Sequence, residues 1–177
     1  MRTDASTALL ARRTAPSDRA FPGEPESRPG PDRPVFRTLG AAEMGALLAR
    51  NHVGRIAYSF HDDVDIEPIH YVYADGVLYA RTSPGHMLHT REHRRWVAFE
   101  VDEVDGLLDW RSVVVHGSVY RVTPGTTADD RDTYARTLAR LRELVPALFR
   151  ADDPTPDRTV LIRVHVDRMT GRAARSA

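Results

Sequence analysis

Hydrophobic and polar residues alternate with a period of two in several stretches of this chain, which is the pattern of β-strands that bury one face. The cleanest example is Trp96–Asp102, where Val97, Phe99 and Val101 share one face and Ala98, Glu100 and Asp102 share the other. The same criterion predicts five further strands: Arg55–Phe60, Asp65–Tyr73, Val77–Arg81, Ser112–Val122 and Thr159–Asp167. Six strands predict a protein that is mainly β.

Three segments have helical character instead. Leu39–Asn51 carries apolar residues at helical spacing among strong helix formers. His86–Arg94 is predicted to form a short polar helix, and Thr126–Phe149 the longest one, which Pro146 is expected to kink or shorten. Because these helices fall only at connections between strands, the order differs from a repeating βαβ pattern.

Single residues define the predicted sheet further. Asp75 and Gly76 predict a hairpin turn between the second and third strands, since glycine accepts a positive φ. Pro68 cannot donate a ladder hydrogen bond, so its part of the second strand is expected at an edge or bulge. Gly117 predicts a bulge or bend in a long strand, and Glu103–Leu108 is predicted to form an acidic loop. Together these features predict a six-stranded antiparallel β-barrel, either closed or a split β-barrel, with a few peripheral helices.

The chain before residue 35 differs in composition from the rest. Residues 1–34 are rich in Pro, Arg, Ser and Gly and show no periodicity, so we predict a disordered tail. The predicted domain spans residues 35–172, and residues 173–177 form a short closing tail. No apolar run has the length of a membrane-spanning helix or forms a signal-peptide core. A cytoplasmic location is therefore expected.

Charge and composition exclude several kinds of chemistry. The 25 basic and 25 acidic residues give a formal net charge of zero, so nothing indicates a nucleic-acid partner. The chain has no cysteine, which excludes disulfides and thiolate catalysis. Every basic residue other than histidine is arginine, which excludes a Schiff-base lysine.

The segment Arg81–Met87 is the strongest candidate for a binding site. It follows a strand, supplies hydroxyls and a glycine, and leads into a predicted helix, which is a favourable arrangement for an anion. His86, His89 and His93 have spacings that place them on one helix face. We assign no metal to them, because no carboxylate is placed to complete a site.

The order of short sequence motifs resembles the pyridoxamine 5′-phosphate oxidase-like family, whose members are FMN-binding split barrels. The resemblance spans Leu39–Arg172 and is similar to an actinobacterial-type branch, with some features of nitroimidazole-reductase-like members. The segments that carry it are Val53–Ala57, Glu67–Tyr73, Asp75–Tyr79, Thr82–Met87, Phe99–Asp105, Trp110–Gly117 and Met169–Arg172.

This resemblance implies an FMN site at a homodimer interface. The backbone from Pro68 through Ile69 and His70 to Tyr71 would lie along the flavin ring. Five residues of the segment Arg81–Met87 would approach the phosphate: Arg81, Thr82, Ser83, His86 and Met87. The adjoining strand, from the other subunit, would contribute Trp110, Arg111 and Ser112. Met87 stands where the family usually has lysine, which lowers the expected FMN affinity.

The function implied is that of an FMN-dependent oxidoreductase. His70 is the expected ionisable group beside the flavin, while Tyr71 and Trp110 would shape the substrate face. The substrate is a small molecule that is left unassigned, and the electron donor could be a nicotinamide or a deazaflavin. The alternative is a non-catalytic protein that stores or senses flavin or haem, with His86, His89 or His116 as axial ligand. A third hypothesis is a dimeric structural domain that has lost its ligand.

Overall fold

The structure, a computed structural model, describes residues 34–60, 63–85 and 96–176. The predicted tail before Pro34, the predicted helix His86–Arg94 and the site residues His86 and Met87 lie outside this part of the chain. Described strands and helices, in chain order, are β1 (Val35–Thr38), α1 (Ala41–Arg50), β2 (Val53–Phe60), β3 (Asp63–Ala74), β4 (Val77–Thr82), β5 (Trp96–Gly106), β6 (Asp109–Val122), α2 (Ala128–Leu144) and β7 (Val160–Arg175).

The strands form one antiparallel sheet that closes on itself. Their order is β1-β7-β4-β3-β2-β5-β6, and a further pairing joins β6 to β7. Along one edge β7 pairs first with β4 and then with β1, while its other edge pairs with β6. The mainly β, antiparallel barrel predicted from the alternating pattern is therefore confirmed, with seven described strands where six were predicted.

The additional strand is β1, which pattern analysis missed. All four of its residues are exposed, so it has no buried face and no alternation to detect. Its position comes from pairing with the end of β7, where Val35 lies opposite Arg175 and Thr38 opposite Arg172. β7 consequently continues past Arg172, where the predicted domain ends, and Ala173 and Ala174 are buried.

Two apolar clusters stabilise the barrel. The larger one fills its interior, where the buried Tyr71 ring packs edge-on against Phe99 and its hydroxyl donates to the Leu48 carbonyl at 2.8 Å. The smaller one lies where α2 packs on the sheet, and Leu141 and Leu148 belong to it. The regular part of α2 ends at Leu144, five residues before the predicted end, because Pro146 cannot donate within a continuing helix. No helix in the described part of the chain is long and apolar enough to cross a membrane.

The three predictions about single residues are confirmed. Asp75 and Gly76 have φ angles of 53° and 76° in a two-residue turn between β3 and β4. Pro68 pairs with Arg55 of β2, but the β3–β4 ladder reaches only as far as Tyr71, so its other side has no strand partner in the described part of the chain. Gly117 lies at a register shift between β6 and β7.

The predicted acidic loop Glu103–Leu108 is wrong, because β5 continues to Gly106. Glu103 lies within the strand and accepts hydrogen bonds from Arg50 at 2.6 and 2.7 Å and from Asn51 at 2.8 Å. The Arg50 contact, helped by Asn51, lowers the pKa of Glu103 to about 2. The acidic residues that predicted a solvated loop therefore lie in the last part of β5, where Glu103 is ion-paired.

Gly117→Ala is expected to destabilise the fold. A Cβ atom at this position would lie 2.0 Å from the His165 carbonyl oxygen, so the two strands would have to separate. We expect a loss of about 1–3 kcal/mol in the free energy of unfolding, measured by urea denaturation. Gly45→Ala is the control, because nothing lies within 4 Å of its added Cβ and alanine favours helix. Equal stability of the two variants would contradict the close approach at Gly117.

Acid is expected to weaken the Arg50–Glu103 ion pair. The folded pKa of Glu103 is depressed to about 2 from its ordinary value of 4.5, so its contribution to stability is present above pH 4.5 and is lost as pH falls towards 2. We expect the free energy of unfolding to fall more steeply over this range in the wild type than in Glu103→Gln. Glu143→Gln, on the exposed face of α2, should follow the wild type. Parallel wild-type and Glu103→Gln profiles would contradict this assignment.

Candidate functional site

A cleft of about 190 Å³ opens where β3 and β4 separate. Beyond Ala80 the β4 strand no longer pairs with β3, although Arg81 and Thr82 still pair with Leu161 and Val160 of β7. The cleft lies between these diverging strands and the segment that precedes β7. The residues that line it are Glu67, Pro68, Ile69, Arg81, Thr82, Ser83, Pro84, Gly85 and Arg158.

The cleft brings together five of the residues predicted from sequence. Pro68 and Ile69 come from β3, while Arg81, Thr82 and Ser83 come from β4 and the residue after it. These two groups meet because the β3–β4 hairpin folds the chain back on itself at Asp75 and Gly76. Thr82 is half-buried and Ser83 is exposed.

Tyr71 and His70 lie close to the cleft in sequence but do not line it. The Tyr71 side chain is fully buried in the barrel interior, where burial raises the pKa of its hydroxyl. His70 alternates to the outer face of β3 and is exposed. Its contact with the cleft is indirect, through Arg158, whose NH1 lies 3.1 Å from His70 Nδ1.

Arg81 is buried and ion-paired. Its side chain is 5% exposed and that of Asp153 is 3% exposed, and two hydrogen bonds of 2.6 and 2.7 Å join the guanidinium to the carboxylate. Thr155 Oγ1 accepts a further bond from the same guanidinium. Asp153 also accepts from the backbone N–H groups of Phe149 and Thr155, and the Arg81 contact holds its pKa well below the usual range. The charge predicted for an anion is therefore already balanced within the protein.

Arg158 is a cation of the cleft that sequence reasoning missed. It is half-buried and forms no salt bridge among the described residues. A guanidinium can only donate hydrogen bonds, so His70 Nδ1 accepts and the neutral ring carries its proton on Nε2. Partial burial, and then the charges of Arg158 and Arg81, lower the pKa of His70.

Glu67 adds a carboxylate to the cleft wall. Its Oε1 accepts a hydrogen bond of 2.6 Å from the Tyr58 hydroxyl, which lies 3.2 Å from Asp65 as well. Burial and the bond to Glu67 raise the pKa of Tyr58. This tyrosine therefore stays protonated and holds the Glu67 carboxylate by a hydrogen bond.

The predicted site residues on β6 do not line the cleft between β3 and β4. Trp110 and Arg111 line a second cleft of about 280 Å³ together with Arg37 and the end of β7. The Phe36 and Trp110 rings are 6.3 Å apart at this cleft. Ser112 Oγ donates to Glu100 at 2.9 Å. Within one chain, these residues are not among those that line the cleft between β3 and β4.

The residues missed by sequence reasoning share one cause. Asp153, Thr155 and Arg158 lie in a proline-containing loop with no periodicity, and the loop contacts Arg81 across 72 to 74 residues of sequence. A buried arginine at a strand end needs a carboxylate partner, but the sequence offers 25 acidic residues from which to choose. Only the fold identifies Asp153.

Comparison with known proteins supports one family. A sequence profile described as pyridoxamine 5′-phosphate oxidase matches residues 40–173. The crystal structure of a FAD-binding protein from Mesorhizobium loti is 25% identical, covers 80% of this chain and 99% of its own, and has a TM-score of 0.64. A putative pyridoxamine 5′-phosphate oxidase from Corynebacterium glutamicum is 27% identical over 81% of this chain and 96% of its own, with a TM-score of 0.58. No curated protein sequence matches the chain.

Asp153→Asn is expected to destabilise the protein far more than Asp152→Asn. The first change leaves the Arg81 guanidinium buried without its counter-charge, whereas Asp152 is exposed. For a chain of this size we expect the midpoint of thermal unfolding to fall by on the order of 10 °C for Asp153→Asn and to change little for Asp152→Asn.

A double-mutant cycle separates the ion pair from general damage to the loop. Arg81→Met combined with Asp153→Leu removes both charges, so the double variant should lose less stability than the two single variants added together. Additive losses would show that the two side chains do not stabilise each other.

Proposed function

Because the chain belongs to the pyridoxamine 5′-phosphate oxidase family, we propose that it binds FMN with the phosphate in the cleft between β3 and β4 and acts as a flavin-dependent oxidoreductase. The observation that carries this proposal is the cleft itself. Among the residues that line it, Thr82 and Ser83 carry hydroxyls, Arg158 carries a guanidinium, and Pro68 and Ile69 come from β3. The FAD-binding protein from Mesorhizobium loti, at 25% identity, supports a flavin as the ligand class.

The donors present fit the phosphate end of a flavin nucleotide. A phosphomonoester is a tetrahedral dianion that is bound best by guanidinium, hydroxyl and backbone N–H groups together. Arg158 offers the charge, and Thr82 and Ser83 offer hydroxyls on adjacent residues. Arg158 is thereby a candidate to compensate for Met87, which stands where the resemblance places a lysine.

The size of the cleft supports a site completed by a second copy of the chain. A volume of about 190 Å³ is below the range of about 300–1,000 Å³ that is usual for sites that enclose ligands of this size. We propose a homodimer in which Trp110, Arg111 and Ser112 of the second copy contact the flavin. Trp110 and Arg111 line a concave surface of their own, which is the kind of surface that such a contact requires.

Bound flavin would supply hydride chemistry, and the protein would bind and orient it. His70, neutral and turned towards Arg158, would act on the flavin through that arginine rather than by direct proton transfer. The substrate class stays a small molecule, with a nicotinamide or a deazaflavin as donor. A cytoplasmic location stays a prediction from the sequence.

One observation favours the alternative of a non-catalytic flavin protein. His70 and Tyr71, the side chains predicted to act beside the ring, both lie outside the cleft wall. A protein that stores or senses flavin needs the phosphate site but no reactive side chain. Haem is the alternative ligand, and His116 on the half-buried outer face of β6 offers an imidazole.

Purified protein mixed with FMN is expected to quench flavin fluorescence, with one FMN bound per chain and a dimeric mass in light scattering. Ser83→Ala should raise the Kd by about 3–10-fold, because it removes one hydrogen bond to the phosphate. Ser59→Ala, which lies on β2 away from the cleft lining, is the matched control.

The outcomes separate the candidate functions. Reduction of bound FMN by NADPH, NADH or a reduced deazaflavin, followed by reoxidation with an acceptor, supports the oxidoreductase. Tight FMN binding without reduction by any donor supports storage or sensing. A haem Soret band in the purified protein, or no change in FMN fluorescence, would contradict the FMN site.

A further inference from the structure

We propose that Arg158 is the side chain that binds the anionic group of the ligand in this cleft, and that His70 is a positioning residue that holds Arg158 in place. The inference rests on the proposed flavin site and refines it. The charge of the site then comes from a residue in the loop before β7, where no sequence pattern points to a function. His70 then has an indirect role in place of the direct one predicted for it.

Arg81 is a poor anion ligand in this geometry. Its guanidinium donates two bonds to Asp153 and one to Thr155, and its side chain is almost fully buried. A phosphate that displaced Asp153 would leave a carboxylate buried beside it, and the two like charges would repel. The charge of Arg81 is therefore already neutralised by Asp153 and is not available to bind the ligand.

The pair acts instead as an anchor for Arg158. Asp153 and Thr155 are both bonded to Arg81, and the backbone N–H of Arg158 donates to the Thr155 carbonyl at 3.1 Å. The anchored turn thus ends at Arg158, where the chain is about to enter β7. Strand pairing fixes the backbone on one side of Arg158, and the turn fixes it on the other.

His70 fixes the far end of the Arg158 side chain. A guanidinium at the end of a flexible chain loses rotamer freedom when it binds an anion, so a contact that orders it beforehand lowers that cost. Nδ1 of His70 lies 3.1 Å from NH1 and leaves the other donors of the fork for a ligand. The lowered pKa of His70 keeps its ring neutral, and so able to accept, at neutral pH.

The surrounding charges make Arg158 the available cation among the described residues of the cleft. Arg81 is balanced by Asp153, and Glu67 faces the same space but is held by Tyr58. Arg55, beside His70 on the outer face through its pairing with Pro68, is bonded to Glu100 and Asp102. The ligand class that fits one guanidinium and the adjacent hydroxyls of Thr82 and Ser83 is a phosphomonoester.

The central experiment compares FMN with riboflavin, which has the same ring and ribityl chain but no phosphate. Arg158→Ala is expected to raise the Kd for FMN by about 10–100-fold, the effect of losing a charge-assisted hydrogen bond. Riboflavin binding should change less than twofold. Arg150→Ala, an exposed arginine in the same loop, is the matched control and should leave both constants unchanged.

Two substitutions at His70 test the positioning role. His70→Asn places an amide oxygen near the position of Nδ1 and keeps the acceptor, whereas His70→Leu removes it. We expect FMN affinity in His70→Asn to stay within twofold of the wild type and affinity in His70→Leu to fall about 3–10-fold. If both variants lose affinity equally, or if riboflavin affinity falls as well, His70 does not act through Arg158.

Binding of inorganic phosphate separates this inference from the flavin proposal. In the wild type, phosphate is expected to shift the ¹⁵N signals of the His70 ring in NMR spectra, which His70→Asn serves to assign. Arg158→Ala should abolish the shift. A wild type that binds neither flavin but shows the phosphate shift contradicts the flavin proposal and supports the Arg158 assignment. FMN affinity unchanged in Arg158→Ala, or no phosphate shift in the wild type, would overturn that assignment.

Discussion

The pairing of β7 with three other strands is the constraint on which the rest of this structure depends. One edge of β7 pairs with β4 and then β1, and its other edge pairs with β6 from Trp110 to Val122. Without the β6–β7 ladder the sheet would be open, and the apolar interior around Tyr71 and Phe99 would meet water. Gly117 permits the ladder to bend, because any larger residue would collide with the His165 carbonyl.

The candidate site arises at the place where this closure leaves a gap. β4 continues to pair with β7 after it has left β3, so a cleft forms between the two hairpin strands. The loop that leads into β7 is thereby brought against the end of β4, and Asp153 meets Arg81 in a buried pair. The cost of burying these two charges is offset only because each has several hydrogen-bonding partners. The same loop brings Arg158 into the lining of the cleft.

Electrostatics decide which residue of the site can act on a ligand. A sequence motif with arginine, threonine and serine after a strand suggests that the arginine takes the anion. In the fold, the charge of Arg81 is balanced and that of Arg158 is not balanced by any described carboxylate. Ligand binding would therefore use the Thr82 and Ser83 hydroxyls, which belong to the motif, and the Arg158 guanidinium, which does not. The family resemblance predicted the position of the site, and the charges in the fold favour Arg158 over Arg81 as its cation.

Much of the fold followed from local patterns. Alternation in Trp96–Asp102 predicted a strand because its inner face is buried, and Asp75–Gly76 predicted a turn because positive φ favours glycine. Pro68 and Gly117 were correctly assigned to an edge and a bulge, since their limits are properties of the single residue. β1 and the second half of β5 were missed, because an exposed strand and an ion-paired strand end have no apolar pattern.

The grouping of Pro68, Ile69, Arg81, Thr82 and Ser83 was implied by the family resemblance. By itself, the sequence determined the antiparallel β class and the hairpin between β3 and β4. These depend on interactions between residues that are close along the chain. Tertiary structure alone decided that Arg81 pairs with Asp153, that His70 contacts Arg158, and that Tyr71 points into the core. The first two contacts join residues more than 70 positions apart, and no local preference selects one carboxylate or one guanidinium among many. The Tyr71 side chain follows from which face of β3 the closed barrel buries.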